Sequence, residues 1–407
     1  MPASSERRAK QVAACGLVGL AVAMGLGRFA FTPVLPMMLD DGLLSLREAS
    51  WLASSNYLGY LLGALACALQ PALWSRLAHA PQPSFASLIA LGLAATTLLT
   101  LGMALPWPGA WAALRFAAGL ASALVFIYTS GWCLAQLTRL GRPAWGGVMY
   151  AGPGAGIAIS GLAASAMVAQ AWSAPAAWLV MGLLAALGTA LAWTVLRAPG
   201  SSEERLASAP PASPTAGVRH GGAEQALLVL GYGLAGLGYI ISATFLPVIA
   251  RTALPGSVWL DLFWPLFGLG VVVGALLSTR LPLHLDRRLL LMLSYVVQAA
   301  GILVGLWQPT VAGFVAGSLL LGLPFTALTF FAMQEARRIK GGTATGFMGL
   351  LTATYGLGQV LGPLLVAELI RHTDTARGFE LGLGVAAGGL LLGAALFGAM
   401  MRRYPAR

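Results

Sequence analysis

Long apolar segments separated by short polar ones run through this sequence from end to end. A membrane-spanning helix needs about 20 apolar residues, because the hydrocarbon core of a bilayer is about 30 Å thick. Several segments are longer than this minimum, which predicts tilted or kinked helices. The pattern predicts twelve such segments: 12–38, 49–70, 85–105, 109–137, 145–171, 174–196, 224–250, 258–279, 289–306, 310–335, 343–370 and 379–401. We therefore expect an all-α integral membrane protein with twelve transmembrane helices.

The longest polar interval lies in the middle of the chain. Residues 197–223 are rich in Pro, Ser, Ala and charged side chains, a composition typical of a flexible linker. We expect this linker to join two six-helix bundles, formed by residues 1–196 and 224–407. Composition supports the membrane class, since 58% of the residues are hydrophobic and only 9% are charged.

The net charge of +11 follows the predicted membrane topology. If both termini are cytoplasmic, eighteen of the 24 Lys and Arg residues lie on that side, which is the bias expected of inner-membrane proteins. Four arginines lie on the outer side: Arg47, Arg251, Arg371 and Arg377. We expect a multi-pass monomer in the bacterial inner (plasma) membrane, whose basic charge requires no nucleic-acid partner.

The two halves of the sequence repeat each other. A shift of 211 residues places the segment at 236–249, GLGYIISATFLPVI, over GLGRFAFTPVLPMM at 25–38. The same shift places residues 267–276 over NYLGYLLGAL at 56–65, and a shift of 210 aligns the Gly-Pro pairs of the fifth and eleventh segments. A duplicated six-helix unit is typical of secondary transporters whose halves rock about a central site.

The motifs GLGRFAFTPVLPMM, NYLGYLLGAL and GQVLGP resemble the YbfB/YjiJ family of the major facilitator superfamily. The resemblance implies a 6+6 pseudo-symmetric fold and alternating access to a cavity lined mainly by helices 1, 4, 7 and 10. The segment RFAAGLASA from Arg115 is similar to the superfamily pattern of helix 4, and GVMYAGPGAG from Gly147 to a helix-5 pattern often found in antiporters.

Arg28 is the first candidate for the functional site. A charged side chain near the bilayer centre costs between about 3 and over 10 kcal/mol, so such residues usually face a protein interior or a water-filled path. Pro33 and Pro36 have no amide hydrogen, which predicts free backbone oxygens at Phe29 and Thr32 beside Arg28. Those oxygens offer a structural alternative, in which Arg28 bonds the helix backbone instead of a substrate.

Further side chains join Arg28 in the predicted central cavity. Tyr239 occupies the repeat position of Arg28, and Arg115 is a second buried cation for which an ion pair or bonds to helix carbonyls are the structural alternative. Because the two buried cations face almost no buried anions, and a guanidinium binds carboxylate with two parallel bonds, we expect a small anionic solute. The predicted substrate-binding residues are Arg28, Thr32, Asn56, Tyr57, Arg115, Tyr239 and Gln359.

Glycines at four-residue spacing allow helices to approach closely, and prolines bend them. Close packing is one interpretation of these positions, and sliding of the helices during gating is another. The predicted gating or packing residues are Pro33, Pro36, Gly59, Gly63, Gly152, Pro153, Gly362 and Pro363.

Proton coupling has two candidates, because a proton relay commonly uses an intramembrane carboxylate or histidine. These are Asp261, near the outer end of the eighth segment, and Glu335, near the inner end of the tenth. No catalytic constellation, metal-ligand spacing or cofactor motif is visible, so we do not expect an enzyme. Two alternatives to an organic-anion transporter stay open: a proton-coupled multidrug-type antiporter, and a non-transporting membrane receptor on the same fold.

Overall fold

The computed structural model describes residues 2–76, 83–142, 145–197, 222–257, 259–282, 285–340 and 344–405. Within these ranges, twelve helices, α1 to α12, are long and apolar enough to cross a membrane, by length and composition alone. They are Ser5–Asp40, Leu46–Gln70, Phe85–Gly102, Pro108–Arg139, Gly146–Ala169, Ala174–Leu196, Gly222–Ala253, Leu260–Ser278, Arg287–Trp307, Val311–Lys340, Gly346–His372 and Thr375–Arg403. The predicted all-α class with twelve spanning helices is confirmed. Most of the predicted linker, residues 198–221, lies outside the described residues, so the limits of the two bundles stay a prediction.

Helix α1 is broken where Arg28 lies. A regular helix from Pro2 to Leu20 continues as a π-helix over Ala21–Arg28, and a second regular helix runs from Phe31 to Asp40. The amide of Phe29 donates to the carbonyl of Met24 over 2.9 Å, a bond that reaches back five residues. Such π-segments are rare and frequently occur at functional sites.

Glycines determine how closely α1 packs within its own half. A Cβ atom on Gly25 would lie 2.3 Å from Cα of Gly156 in α5, so the two backbones are in direct contact at this level.

The regular part of α1 extends ten residues further toward the N-terminus than the apolar pattern predicted, from residue 12 to Pro2. The extra turns are polar, which is why hydropathy alone missed them.

The two halves meet along α5 and α8, and also along α2 and α11. A Cβ atom on Gly154 of α5 would lie 2.6 Å from the carbonyl oxygen of Gly268 in α8. One on Gly161 would lie 2.7 Å from the ring of Pro265. These helices therefore touch through their backbones, and glycine is the residue that permits this approach.

On the membrane side opposite to the two termini, which we call the far side, the bundle is closed. Every residue over 22–38 of α1 and over 238–250 of α7 is buried. A helix with one face toward lipid or water would expose a residue every three or four positions. The far-side halves of α1 and α7 are therefore surrounded by protein.

Four hydrogen bonds join the two halves in this closed region. Because each is made by a buried or half-buried group, it forms in an environment where an unpaired polar atom is costly. The bonds run from Thr32 Oγ1 to the Ala243 carbonyl (2.7 Å), from Ser54 Oγ to the Val360 carbonyl (2.9 Å), between the hydroxyls of Tyr57 and Thr244 (2.8 Å), and from Ser165 Oγ to the Asp261 carbonyl (2.7 Å).

Candidate functional site

Arg28 lies at the meeting of the two halves. Its side chain is 2% exposed, and Nη2 donates a 2.6 Å hydrogen bond to Oε1 of Gln359 in α11. Gln359 is itself 1% exposed. Among the residues that the structure describes, no carboxylate forms an ion pair with Arg28, so its hydrogen-bond acceptor is a neutral amide from the opposite half.

Aromatic rings cover the Arg28 guanidinium. Its central carbon lies 4.0 Å from the ring centroid of Tyr60, 5.1 Å from that of Tyr57 and 5.2 Å from that of Phe29. A cation over an aromatic face is stabilised by about 0.5–2 kcal/mol, more when it is desolvated. The rings thus replace part of the hydration that the guanidinium loses on burial. Tyr60 was not predicted as a site residue, although it lies in the NYLGYLLGAL motif one helical turn after Tyr57.

Gln359 connects Arg28 to a row of tyrosines. Its Nε2 donates to the hydroxyl of Tyr239 in α7. The Tyr239 ring stacks on Tyr355 at 5.8 Å, and Tyr355 stacks on Tyr232 at 4.7 Å. This row runs from the centre toward the side of the termini. Tyr355 is only half-buried, as is Tyr60, so the partly exposed face of the site is the one directed away from the closed far side.

Arg115 bonds the broken turn of α1. Its Nη1 and Nη2 donate to the carbonyls of Gly27 (3.0 Å) and Arg28 (2.8 Å), and Nδ2 of Asn56 donates to the carbonyl of Arg115 itself over 2.8 Å. The side chain is 2% exposed. Arg115 thus makes the bonds to helix carbonyls that the sequence analysis gave as its structural alternative. A substrate contact by Arg115 or Asn56 stays a prediction.

The carbonyls that Arg115 uses differ from those that the prolines were expected to free. The oxygen of Phe29 accepts from the amide of Thr32 at 3.2 Å, a bond that reaches back only three residues. The oxygen of Arg28, which would accept that amide in a regular helix, is left for Arg115. The π-segment and the turn after it therefore create the acceptors, one to two residues before the position predicted from Pro33 alone.

The seven predicted substrate residues thus fall into three groups that differ in their contacts. Arg28, Gln359 and Tyr239 form one chain of hydrogen bonds across the two halves. Thr32 and Tyr57 bond α7 on the far side of Arg28. Arg115 of α4 bonds the backbone of α1, and Asn56 of α2 bonds the backbone carbonyl of Arg115.

The predicted gating or packing glycines lie against neighbours in their own half. A Cβ atom added at each of them would meet backbone atoms or the first atoms of a side chain. The added Cβ atom would lie 2.0 Å from the Phe116 carbonyl oxygen at Gly59 and 2.9 Å from Cβ of Ala123 at Gly63. It would lie 2.3 Å from the Leu17 carbonyl oxygen at Gly152 and 2.3 Å from Cγ2 of Ile240 at Gly362. The prediction missed Gly154, which lies in the motif GVMYAGPGAG, and Gly268 of α8; these two form a backbone contact between the halves.

The two candidates for proton coupling form ion pairs within the second half. Asp261 pairs with Arg251 at 2.5 Å. Glu335 is fully buried and pairs with Arg338 at 2.6 Å, and Arg338 also bonds Glu224 at 2.6 Å. In the part of the chain that the structure describes, no group of three or more His, Cys, Asp and Glu could hold a metal ion.

Comparison with known proteins agrees with this architecture. The model of a family described as "Uncharacterised MFS-type transporter YbfB" matches residues 20–397. A structure of the nucleoside transporter NupG superposes with a TM-score of 0.67 at 14% identity, covering 97% of this chain and 99% of that one; a mutant of NupG gives 0.71 at 13%, covering 96% and 99%. The human organic anion transporter MFSD10 gives 0.61 at 16%, covering 96% and 99%. No curated protein sequence matches.

Proposed function

The chain belongs to the family described as "Uncharacterised MFS-type transporter YbfB". We propose that it moves a small carboxylate-bearing organic solute across the bacterial inner membrane by alternating access. Family and fold are those of a secondary transporter. The substrate class is the proposal. It rests on one observation: the guanidinium of Arg28, buried between the two halves, has a neutral amide and aromatic rings as partners and, among the described residues, no ion-paired carboxylate.

A buried cation without a counter-ion favours an anionic ligand. The charge is already desolvated, so a carboxylate that reaches it gains charge-assisted hydrogen bonds that are about twice as strong as neutral ones. A cationic drug would meet the opposite situation, since its charge would be repelled by Arg28 and by Arg115 behind it. The site therefore favours an anionic substrate over the cationic drugs of the multidrug alternative.

The names of the structural relatives refer to two kinds of solute. One relative is described as an organic anion transporter and the other as a nucleoside transporter. At 14–16% identity, they share the fold with this chain and do not carry a substrate over to it. The choice of an anion rests on Arg28, and the organic-anion relative is consistent with it.

The arrangement of the site suggests a route for the solute. The far side is closed by the buried ends of α1 and α7, whereas Tyr60 and Tyr355 are half-buried on the side of the termini. We propose that the solute reaches Arg28 past these two rings, and that the positive-inside charge distribution makes this the cytoplasmic side. Proton coupling through Asp261 or Glu335 stays a prediction, as do the cytoplasmic position of both termini and the monomeric state.

The topology predicts a labelling pattern. In a chain without its three native cysteines, Cys15, Cys67 and Cys133, a cysteine at Arg47 or Arg377 should react with an impermeant maleimide in intact cells. A cysteine at Arg142 should react only after the membrane is permeabilised. The reverse pattern would overturn the orientation, and labelling of all three in intact cells would overturn the number of spans between them.

The substrate class is tested by thermal stabilisation of the purified protein. A ligand that binds only the folded state raises the unfolding temperature, by an amount that grows with concentration over Kd. We expect organic acids to stabilise the protein, whereas their neutral amides, nucleosides and cationic drugs do not. The acid with the largest effect is then tested for uptake into sealed proteoliposomes. Stabilisation by cations alone would favour the multidrug alternative, and binding without movement would favour a receptor.

A further inference from the structure

We propose that Gln359 occupies the place of the substrate's acid group on Arg28, and that a bound acid displaces Gln359 and so breaks a hydrogen bond between the two halves. The inference rests on the proposed function, because it takes Arg28 as the anchor of the acid. It adds a role for a residue on the opposite half, and it makes substrate binding the event that loosens the closed state.

The amide of Gln359 is oriented like an acceptor group of a ligand. Its Nε2 donates to the hydroxyl of Tyr239, so its oxygen is the atom directed at the guanidinium. The Tyr239 ring is held in turn by Phe325, whose centroid lies 5.0 Å away in an edge-on contact, and by Tyr355. The amide oxygen is therefore fixed 2.6 Å from Nη2 of Arg28.

Arg28 keeps donor capacity that Gln359 does not use. Its Nε is buried and has no hydrogen-bond partner among the described residues. An amide offers one oxygen and no charge, whereas a carboxylate offers two oxygens and a full charge, and can accept from Nε and Nη2 side by side. A carboxylate therefore outcompetes the amide on the same face of the guanidinium. This is the relation expected between a substrate and a weaker internal substitute for it.

Displacement changes the balance between conformations because the bond it breaks crosses the two halves. Arg28 belongs to α1 and Gln359 to α11. The other inter-half bonds described above lie on the far side, at Thr32, Ser54, Tyr57 and Ser165. Loss of the central bond leaves these four bonds and the packing between the halves, such as that of Gly154 on Gly268, to hold the closed state. A ligand that favours one state shifts the population by its differential affinity, and here the difference is the lost Arg28–Gln359 bond.

The test measures how often the far side opens, and it needs no knowledge of the natural substrate. A single cysteine replaces Ser54, which is 3% exposed and bonds Val360 of the opposite half, in a chain without native cysteines. Its labelling rate with a maleimide reports the open population. The variants are Gln359→Ala, Gln359→Glu and the control Thr352→Ala, whose hydroxyl bonds a carbonyl of its own helix. The probes are sodium acetate and its neutral isostere acetamide, with sodium chloride matching the ionic strength.

We expect Gln359→Ala to raise the labelling rate roughly tenfold without any probe, since a hydrogen bond to a charged group is lost. Gln359→Glu should lower the rate, because a permanent ion pair with Arg28 holds the halves together. Acetate should raise the rate of the parent protein and leave Gln359→Ala unchanged, whereas acetamide and Thr352→Ala should have no effect.

Three failing outcomes have different meanings. An unchanged rate in folded Gln359→Ala, judged by its unfolding temperature and elution profile, would overturn the role of Gln359 whatever the substrate is. A raised rate in Gln359→Ala with no response of the parent protein to acetate would keep the bond between the halves and overturn displacement by an acid, and with it the support for an anionic substrate. Acceleration by acetate that persists in Gln359→Ala would show that the acid acts elsewhere.

Discussion

Arg28→Gln is expected to abolish binding of the acid found by stabilisation screening, while Arg28→Lys binds it weakly. Glutamine keeps two donors and loses the charge, whereas lysine keeps the charge and loses the planar fork that binds a carboxylate with two parallel bonds. Truncating one partner of a buried charged pair costs about 2–5 kcal/mol, which corresponds to a loss of affinity of roughly 30-fold to several thousandfold. The measurement is Kd by titration of the purified variants.

The contacts of Arg28 explain why these variants should stay folded. Arg28 makes its side-chain hydrogen bond to Gln359 and none to its own helix, whereas Arg115 bonds the carbonyls of the broken turn. The local shape of α1 is thus held by Arg115. Arg47→Gln, which removes an exposed charge on α2, is the matched control and should bind normally. A folded Arg28→Gln variant with undiminished affinity would defeat the assignment of Arg28 as the anchor.

The fold was predictable from the sequence because lipid imposes a simple rule. Each spanning helix must hide its backbone and present about 20 apolar residues, so hydropathy located all twelve. The break inside α1 could not be predicted from hydropathy. The π-segment at Ala21–Arg28 lies in backbone contact with α5 at Gly25 and Gly156, and hydropathy does not report such contacts between helices distant in sequence.

The site was predictable in its residues more than in its connections. Arg28 stands out because a charge inside a spanning segment is costly, and Tyr239 follows from the repeat. Nothing in the sequence pairs Arg28 with Gln359, which lies 331 residues away. Arg115 was also indistinguishable from Arg28 by composition; only the geometry separates a cation that bonds helix carbonyls from one that faces a neutral amide and aromatic rings.

The glycines show the same limit. Four-residue spacing marks positions where helices approach closely, and the predicted glycines do lie in tight contacts. The spacing does not tell whether the neighbouring helix belongs to the same half or to the other one. Gly152 contacts α1 of its own half, whereas Gly154, two residues later on another face of α5, contacts Gly268 of the opposite half. The second kind of contact has to change if the halves rock.

Gly154→Ala is expected to open the far side and to slow transport. The added Cβ would lie 2.6 Å from the carbonyl oxygen of Gly268 and 2.7 Å from the amide nitrogen of Val272, both backbone atoms that cannot rotate away. Overpacking of this kind costs about 1–3 kcal/mol. The cost falls on the state in which α5 and α8 touch at this level, so a cysteine at Ser54 should be labelled about 5- to 150-fold faster, and uptake into proteoliposomes should fall.

Gly384→Ala is the control for this variant. It is also a glycine-to-alanine change within a helix, α12, but its added Cβ would meet no atom within 4 Å, so labelling and transport should match the parent protein. Gly268→Ala provides the reciprocal test, because its Cβ would lie 2.6 Å from the amide nitrogen of Ala158. If Gly154→Ala and Gly268→Ala both keep the parent labelling rate, the contact between α5 and α8 yields without cost and does not distinguish the conformations.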